Sequence, residues 1–290
     1  MEINKIYNID CLEFMKDMQD KSVDLILTGP PYLYLNHKLD RAFNEELFFS
    51  ECYRILKDES MLCFFGRGAS FYKWGYLCQQ LGFEFLEELI WDKNRPSNIF
   101  GSVMRYHETT SVWRKGKKQL NKIHIDKIEY DLLSGDIQKI INDNKRVVTE
   151  LKKINTFEDF EKWKNERKQY KTKHKITTGG GESNNIARGA LCLRNLQNGK
   201  ILSSIIRVNR EHYTMEHPTQ KPIELMDILI KLCSNENDII FDPFAGSGST
   251  CVSALREKRN YLGCEIDKEY FEIAEKRIEN QKKINKSKLF

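Results

Sequence analysis

One stretch of the chain, residues 239–250, constrains the fold more than any other. It begins with three apolar residues, breaks at an Asp-Pro pair, passes through Gly246-x-Gly248 and leads into residues 251–255, whose composition permits a helix. A strand, a glycine turn and a helix in this order are how α/β folds build nucleotide-type sites, because glycine lets a ligand approach the backbone closely. The stretch therefore predicts a ligand site at the end of a strand.

The ligand at this site is not expected to carry a chain of phosphates. The third glycine of GxGxxG is absent, no Gly-Lys-Ser/Thr follows, and Asp242 at the strand end would repel a pyrophosphate. Glu265 ends the next apolar run, nineteen residues after Gly246, where such folds place the acid that holds ribose hydroxyls. A ribosyl ligand without phosphates fits better, and S-adenosylmethionine is the obvious candidate. The alternative is a tight turn that binds no ligand.

Composition sets the class of protein. The chain has 290 residues, enough for one domain with an insertion or for two domains, and its hydrophobic content of 40% is that of a globular protein. The first five residues do not resemble a signal peptide, and no apolar run approaches the roughly 18–20 residues of a membrane span, so no membrane partner is expected. The eight cysteines form no Cys-x-x-Cys pair. Neither a metal site nor a disulfide framework is predicted, and a reducing cytoplasm is the expected location.

Positive charge is concentrated in one segment. Residues 114–176 contain 18 Lys and Arg against 10 Asp and Glu, a net charge of +8, whereas the rest of the chain has a net charge of −3. Such a segment suits contact with a polyanion, and the cluster Lys115, Lys117 and Lys118 is the candidate for that contact. A solvated, lysine-rich helical insertion is the alternative.

Hydrophobic periodicity predicts alternating strands and helices with a largely parallel sheet, interrupted in the middle. Strands are predicted at 4–9, 25–28, 61–65, 83–91, 109–113, 239–241 and 261–264, and helices at 12–18, 47–55, 70–81, 225–232 and 269–281. Residues 114 to 200 lack a clean strand period and include a mixed-charge segment, 136–173, that is predicted to be helical. We therefore predict a split core, residues 1–113 and 201–290, with residues 114–200 as an inserted lobe.

Three pieces of this chain together resemble the amino-methyltransferases that modify DNA bases. Residues 28–32, Thr-Gly-Pro-Pro-Tyr, resemble their catalytic (Asp/Asn/Ser)-Pro-Pro-Tyr loop, and residues 242–250 resemble their S-adenosylmethionine loop. Residues 217–222, His-Pro-Thr-Gln-Lys-Pro, are similar to a motif of the permuted β group. In that group the catalytic loop comes first, a target-recognition region second and the cofactor loop last, which is the order here. The resemblance covers residues 4–113 and 205–280.

The resemblance implies a fold, an activity and partners. The fold would be the Rossmann-like, mostly parallel α/β sheet of S-adenosylmethionine-dependent methyltransferases, with residues 114–200 as the target-recognition lobe. The activity would be methyl transfer from S-adenosylmethionine to the exocyclic amino group of a base flipped out of double-stranded DNA. A companion restriction endonuclease is a further partner that the family suggests. The oligomeric state stays open, with a homodimer among the options.

The resemblance also assigns cofactor residues. Asp10 and Cys11 match the segment that contacts the adenine ring, although Cys11 could equally be a small core residue. Glu265 matches the acid that holds the ribose. The remaining matches flank the methionine moiety and ribose, or the methionine carboxylate: Asp242, Phe244, Gly246, Ser247 and Gly248 in the loop, and His217, Thr219 and Lys221 in the third motif. A structural turn at the start of a helix is the alternative for His217.

The proposed catalytic loop, Gly29-Pro30-Pro31-Tyr32, departs from the family at its first residue. In similar enzymes that residue offers a side-chain acceptor to the amino group, the first proline offers its carbonyl, and the tyrosine stacks on the base. Gly29 has no side-chain acceptor. Another side chain or a water could replace it, the protein could be a degenerate homologue, or the glycine could be an engineered lesion. Adenine N6 is the preferred target, with cytosine N4 as the alternative.

Two other classes of function remain open on the sequence. RNA and protein-glutamine methyltransferases share the catalytic loop, but they usually carry the cofactor loop before it. A catalytically silent DNA-binding protein would explain both Gly29 and the basic segment.

Overall fold

The computed structural model describes residues 2–32, 40–96, 102–125, 199–209 and 220–287, together with residues 141, 142, 145 and 148 of a helix. The chain divides into two compact units. The first joins Met1–Asn121 to Ser203–Phe290, and the second is Lys122–Leu202. Every site discussed below lies in the first unit.

The described part of the first unit alternates strands and helices. The strands are β1 (Lys5–Tyr7), β2 (Val23–Thr28), β3 (Leu56–Gly66), β4 (Glu84–Asp92), β5 (His107–Lys115), β8 (Ile205–Arg207), β9 (Ile239–Asp242) and β10 (Asn260–Cys264). The helices are α1 (Cys11–Lys16), α2 (Glu45–Ile55), α3 (Gly68–Gln80), α4 (Ile223–Cys233), α5 (Ser249–Arg256) and α6 (Lys268–Ser287). In the second unit, β6 (His124–Ile125) pairs antiparallel with β7 (Lys200–Ile201).

The eight strands of the first unit form one sheet in the order β1-β10-β9-β2-β3-β5-β4-β8. All neighbouring pairs are parallel except the two that β5 makes with β3 and β4. Seven strands therefore run in one direction and β5 alone is reversed. The predicted, mostly parallel α/β sheet is confirmed.

Strand residues alternate between two apolar layers. Ile26, Leu62 and Phe241 belong to a buried cluster with residues of α1, α2 and α3. Leu25, Leu27 and Cys63 are equally buried but lie outside that cluster. The apolar residues of α4 that are buried outside it are Leu225, Met226, Leu229, Ile230, Leu232 and Cys233. A sheet buried on both faces explains why the central strands read as continuous apolar runs rather than as alternating ones.

Helix starts follow local capping chemistry. Asp10 caps α1 by accepting a hydrogen bond from the Leu12 amide at 2.9 Å, and Asn44 caps α2 by accepting one from the Leu47 amide at 3.1 Å. The strands and helices predicted for the two parts of the core are all present, with ends displaced by a few residues. The helical piece predicted at 136–173 lies outside the described residues except for residues 141, 142, 145 and 148. The edge strand β8 was not predicted, because it has three residues and its burial is mixed.

The first compact unit extends past the boundary predicted at residue 114. Strand β5 continues to Lys115, and Asn121 is bonded to the end of α4, its amide nitrogen donating to the Leu232 carbonyl at 2.8 Å. Residues 114–121 therefore belong to the first compact unit, and the second begins at Lys122. The role of that second unit in target recognition stays a prediction.

Membrane-spanning helices and metal-binding groups can be looked for among the described residues. None of their helices is both long and apolar enough to cross a membrane. They also bring together no group of three or more His, Cys, Asp and Glu side chains of the kind that holds a metal ion.

Gly248 provides a test of how the loop after β9 packs. Its φ of +76° is left-handed, and a Cβ added there would lie 2.9 Å from the Ala274 Cβ on α6. We expect Gly248→Ala to lower the free energy of unfolding by roughly 2–4 kcal/mol, from backbone strain plus overpacking. Denaturant titration measures the loss.

Gly68→Ala is the matched control for Gly248→Ala. Gly68 also has a positive φ, +63°, but nothing lies within 4 Å of the Cβ it would gain. Gly68→Ala should therefore lower the free energy of unfolding only by the backbone strain, about 1–2 kcal/mol. Equal losses in the two variants would show that α6 does not pack tightly under the loop.

Candidate active site

The loop after β9 turns sharply and enters α5. Gly246 and Gly248 have φ angles of +53° and +76°, which side chains rarely adopt. The Ala245 amide donates to the Cys264 carbonyl at 2.9 Å, and the Gly248 amide donates to the Ala245 carbonyl at 2.8 Å. The first bond fastens the loop to β10, and the second closes its turn. The predicted strand, glycine turn and helix are all in place.

Asp242 joins this loop to the predicted catalytic loop, residues 29–32. Its carboxylate is buried and accepts hydrogen bonds from the Thr28 hydroxyl at 2.8 Å, from the Phe244 amide at 3.1 Å and from the Thr250 hydroxyl. Burial raises the pKa of Asp242 to about 6, although the bonds from Thr250 and Thr28 oppose the rise. These three protein donors show that Asp242 holds the loop, and its predicted contact with the ligand stays a prediction.

Glu265 lies at the end of β10, beside the loop. One carboxylate oxygen accepts from the Gly246 amide at 2.8 Å and the other from the Asp267 amide at 2.8 Å. Burial raises the pKa of Glu265, and these backbone hydrogen bonds oppose it. Each carboxylate oxygen can accept a second hydrogen bond, so Glu265 remains able to hold ligand hydroxyls.

The segment after β1 meets the same edge. The Glu265 amide donates to the Tyr7 carbonyl at 3.0 Å, which brings Asp10 and Cys11 to the side of β10. Asp10 caps α1 and lies 3.5 Å from Arg41, whereas Cys11 is 5% exposed and burial raises its thiol pKa to about 12. Cys11 is therefore a packed, unreactive thiol.

Phe244 is half-buried in an aromatic cluster. Its ring centroid lies 5.3 Å from that of Phe43 and 5.3 Å from that of Phe48. The ring fastens the start of the cofactor loop to α2.

The Gly29-Pro30-Pro31-Tyr32 loop follows β2, between β9 and β3. The Tyr32 carbonyl accepts from the Ser70 hydroxyl at 3.2 Å, and the Tyr32 ring lies 6.3 Å from that of Trp74. The nearest atoms to a Cβ added at Gly29 would be the Tyr32 hydroxyl at 3.9 Å and the Phe65 Cβ at 4.0 Å. Neither packing nor backbone conformation therefore requires glycine at position 29.

Lys221 lies beside this loop in a buried charge cluster. Its ammonium group lies 2.5 Å from the Glu108 carboxylate, 5.8 Å from the centre of the Tyr32 ring and 4.8 Å from that of Phe65. The Lys93 ammonium binds the other Glu108 oxygen at 2.6 Å. Burial would raise the pKa of Glu108, but the charges of Lys221 and Lys93 outweigh it and lower the pKa to about 2.

Gln220, the neighbour of Lys221, connects to the cofactor loop. Its side-chain oxygen accepts from the Ser247 hydroxyl at 3.2 Å. Residues 220–221 therefore touch both loops: Gln220 contacts the loop after β9, and Lys221 lies over the ring of Tyr32. His217 and Thr219 lie outside the described residues.

The predicted contact cluster of Lys115, Lys117 and Lys118 needs correction. The Lys115 ammonium is buried and donates to the Tyr53 and Leu56 carbonyls at 2.9 and 2.7 Å, at the end of α2. Lys118 lies 3.4 Å from Asp238, and only Lys117 is exposed. Strand β5 runs antiparallel to its neighbours, so its last residue, Lys115, lies at the end of the sheet opposite to the two loops. It is about 27 Å from the first residue of β5. Lys115 cannot serve as a phosphate contact.

Sequence reasoning missed Glu108, Lys93 and Arg277. Glu108 and Lys93 lie near the ends of two neighbouring strands, and their burial follows from a strand pairing that no local pattern predicts. Arg277 lies on a helix rich in charged residues, where no local pattern distinguishes it, and it donates to the cofactor loop.

Comparisons with known proteins identify the family and the fold of this chain. Residues 23–276 match the family described as DNA methylase, N6_N4_Mtase. The orphan methyltransferase M.BamHII of Bacillus amyloliquefaciens is 30% identical, over 91% of this chain and 92% of its own length. Two solved structures share the fold. The M1.HpyAVI–SAM complex has a TM-score of 0.54 at 21% identity, covering 94% of this chain and 98% of its own. The cytosine-N4-specific PvuII DNA methyltransferase has a TM-score of 0.57 at 16% identity, covering 97% and 90%.

Glu108 provides a test of the buried charge cluster. Glu108→Gln leaves two ammonium groups without their counter-charge, so we expect a loss of about 3–5 kcal/mol in unfolding free energy at pH 7. The pKa of Glu108 in the folded protein, about 2, lies below its ordinary value of 4.5. The stabilisation is therefore complete above pH 4.5 and disappears as the pH falls towards 2. Denaturant titrations over this range would follow it.

Glu84→Gln is the matched control for Glu108→Gln. Glu84 also makes an ion pair at 2.6 Å, with Arg114, but its side chain is 62% exposed. Its loss should cost at most about 1 kcal/mol. Equal effects of the two substitutions would contradict a special role for the buried cluster.

Proposed function

We propose that this chain, which belongs to the DNA methylase family of N6/N4 amino-methyltransferases, methylates the exocyclic amino group of a flipped base in double-stranded DNA, with adenine N6 as the target. The observation that carries the proposal is the contact between the Pro-Pro-Tyr loop after β2 and the glycine loop after β9. The Thr28 hydroxyl, at the start of the Pro-Pro-Tyr loop, donates to Asp242, at the start of the glycine loop, at 2.8 Å. Such contact lets one site hold a methyl donor and its acceptor together.

S-adenosylmethionine fits the chemistry of the cofactor side. The loop carries two left-handed glycines, the carboxylates of Glu265 and Asp10 lie nearby, and the Arg277 guanidinium contacts the loop's own Ser247 and Ser249 oxygens. This arrangement suits a ligand with ribose hydroxyls and a positive sulfonium and disfavours a polyphosphate. When bound, S-adenosylmethionine supplies an electrophilic methyl group. Lys221 remains the proposed partner of the methionine carboxylate, and Glu108 would share its ammonium group.

The residues of the other loop would orient the amino group of the base. An exocyclic amino nitrogen is a poor nucleophile because its lone pair is delocalised into the ring, and acceptors for its hydrogens localise that lone pair. In this proposal the Pro30 carbonyl is one acceptor, Pro31 stiffens the loop, and Tyr32 stacks on the flipped base. The second acceptor that similar enzymes carry is missing at Gly29.

A catalytically silent DNA-binding protein is the second candidate, and Gly29 is the observation that favours it. This candidate and the first share the fold and the cofactor site. They differ in whether the parent protein transfers methyl groups. Radiolabelled transfer to DNA, with the methylated nucleosides separated, decides between them and distinguishes adenine N6 from cytosine N4.

Gly29→Asp is expected to raise methyl transfer to adenine by roughly 10²–10⁴-fold, because the carboxylate restores an acceptor for the amino hydrogens. A Cβ at this position lies 3.9 Å or more from its nearest neighbours, so the variant should fold normally. S-adenosylmethionine affinity should change little. Transfer rates on duplex DNA measure the gain.

Gly29→Ala is the matched control, since it adds the Cβ without an acceptor and should stay at the parent level. If Gly29→Asp gains nothing while folded, the acceptor comes from elsewhere. If Gly29→Ser gains activity on cytosine while Gly29→Asp gains none on adenine, the proposed base is wrong.

Glu265→Ala should weaken S-adenosylmethionine binding by about 1–3 kcal/mol, the cost of losing hydrogen bonds to a charged group. Glu265 also holds the Gly246 amide, so weaker binding alone would not isolate the ribose contact. Calorimetry with 5′-methylthioadenosine and its 2′- and 3′-deoxy forms isolates it. The parent should discriminate against a deoxy form and Glu265→Ala should not; unchanged discrimination would refute the ribose role.

A further inference from the structure

Helix α6 packs directly behind the cofactor loop. Ala274 lies under Gly248, so close that a Cβ there would be 2.9 Å from the Ala274 Cβ. Arg277 follows one helical turn later, on the same face. Ala274 is fully buried and Arg277 is half-buried, whereas Lys276 between them is exposed. The helix therefore presents one small and one charged residue to the loop.

Arg277 holds the loop by three contacts from one guanidinium nitrogen. Nη1 lies 2.6 Å from the Ser247 carbonyl oxygen, 2.8 Å from the Ser247 hydroxyl oxygen and 3.3 Å from the Ser249 hydroxyl oxygen. Ser247 is 3% exposed, so its carbonyl has little access to water. A buried carbonyl without a donor is costly, and a charged donor is a strong partner for it.

The same short loop is held on its other side by Glu265. That carboxylate accepts from the Gly246 amide at 2.8 Å, while the Ser247 hydroxyl donates to the Gln220 side chain at 3.2 Å. An acid thus fixes an N–H of the loop and a guanidinium fixes a carbonyl one residue later. Because the Gly246 N–H and the Ser247 carbonyl are both held, the peptide group between Gly246 and Ser247 is fixed in orientation. Glycine loops lack this rigidity on their own, because glycine adopts many backbone conformations.

We propose that Arg277 is a positioning residue for the cofactor site: from α6 it holds the Gly246–Ser249 backbone in the geometry that binds S-adenosylmethionine. The inference rests on the proposed function and names a residue that acts through the loop, without touching the ligand. A loop that is ordered before binding loses less conformational freedom when the ligand binds. Removing Arg277 therefore weakens binding while the sheet stays intact.

The test compares three variants of the full chain. Arg277→Met keeps the length of the side chain and removes every donor, Arg277→Lys keeps the charge, and Lys276→Met is an exposed control on the same helix. Calorimetry measures S-adenosylmethionine affinity. Hydrogen–deuterium exchange of the ligand-free proteins compares amides 246–249 with those of β9, Ile239–Asp242.

Arg277→Met is expected to bind S-adenosylmethionine roughly 10- to 100-fold more weakly, the effect of losing charged hydrogen bonds. Arg277→Lys should recover part of the affinity and Lys276→Met should match the parent. Amides 246–249 should exchange faster in Arg277→Met while β9 stays protected. Where transfer is measurable, the cofactor KM should rise more than kcat falls.

Two results would overturn the inference. One is parent-like affinity in a folded Arg277→Met; the other is faster exchange spread equally over the loop and β9, which would mean that Arg277 only stabilises the fold. Failure of the parent itself to bind S-adenosylmethionine would instead refute the proposed function. In that case hydrogen–deuterium exchange still tests whether Arg277 holds the loop, because the measurement needs no ligand.

Discussion

The arrangement of the site depends on a single buried carboxylate. Asp242 lies at the end of β9 and accepts hydrogen bonds from β2, from its own loop and from α5, through Thr28, Phe244 and Thr250. Burying a carboxylate is unfavourable, and its raised pKa of about 6 reflects that cost. The structure accepts this cost where three elements must meet in one geometry. Without the carboxylate, three buried donors would lose their shared acceptor, and the two loops would lose the contact that sets their distance.

Charged side chains form two groups at the carboxyl ends of the parallel strands. Carboxylates gather around the glycine loop, where Glu265 and Asp242 lie, whereas Lys93 and Lys221 flank Glu108 beside the Pro-Pro-Tyr loop. In the first group Glu265 can still accept hydrogen bonds from a hydroxyl-bearing ligand, while Asp242 and the Arg277 guanidinium hold the loop. The second keeps one net positive charge close to the aromatic rings of Tyr32 and Phe65, at 5.8 and 4.8 Å from Lys221.

Much of this could be predicted from the sequence, since local patterns determine it. The apolar runs gave the strands, and the glycine pattern of residues 246–248 gave the turn. What could not be predicted depends on partners distant in the chain. Lys115 looked like part of a basic surface, but its ammonium group is bound to carbonyls at the end of α2. Glu108 and Arg277 looked unremarkable for the same reason: only the tertiary fold gives each its partner.

The bond between Thr28 and Asp242 joins residues 214 positions apart. At the usual rate of synthesis, roughly 5–20 residues per second, β2 would leave the ribosome some 10–40 seconds before its neighbour β9. During that interval one side of β2 is an open, strongly apolar strand edge, which is the kind of surface that pairs with other chains. Cover of that edge, by a chaperone or by another part of the chain, would protect the nascent protein until its C-terminal strands arrive. The separation that divides the site between the two ends of the chain is also a hazard of its biosynthesis.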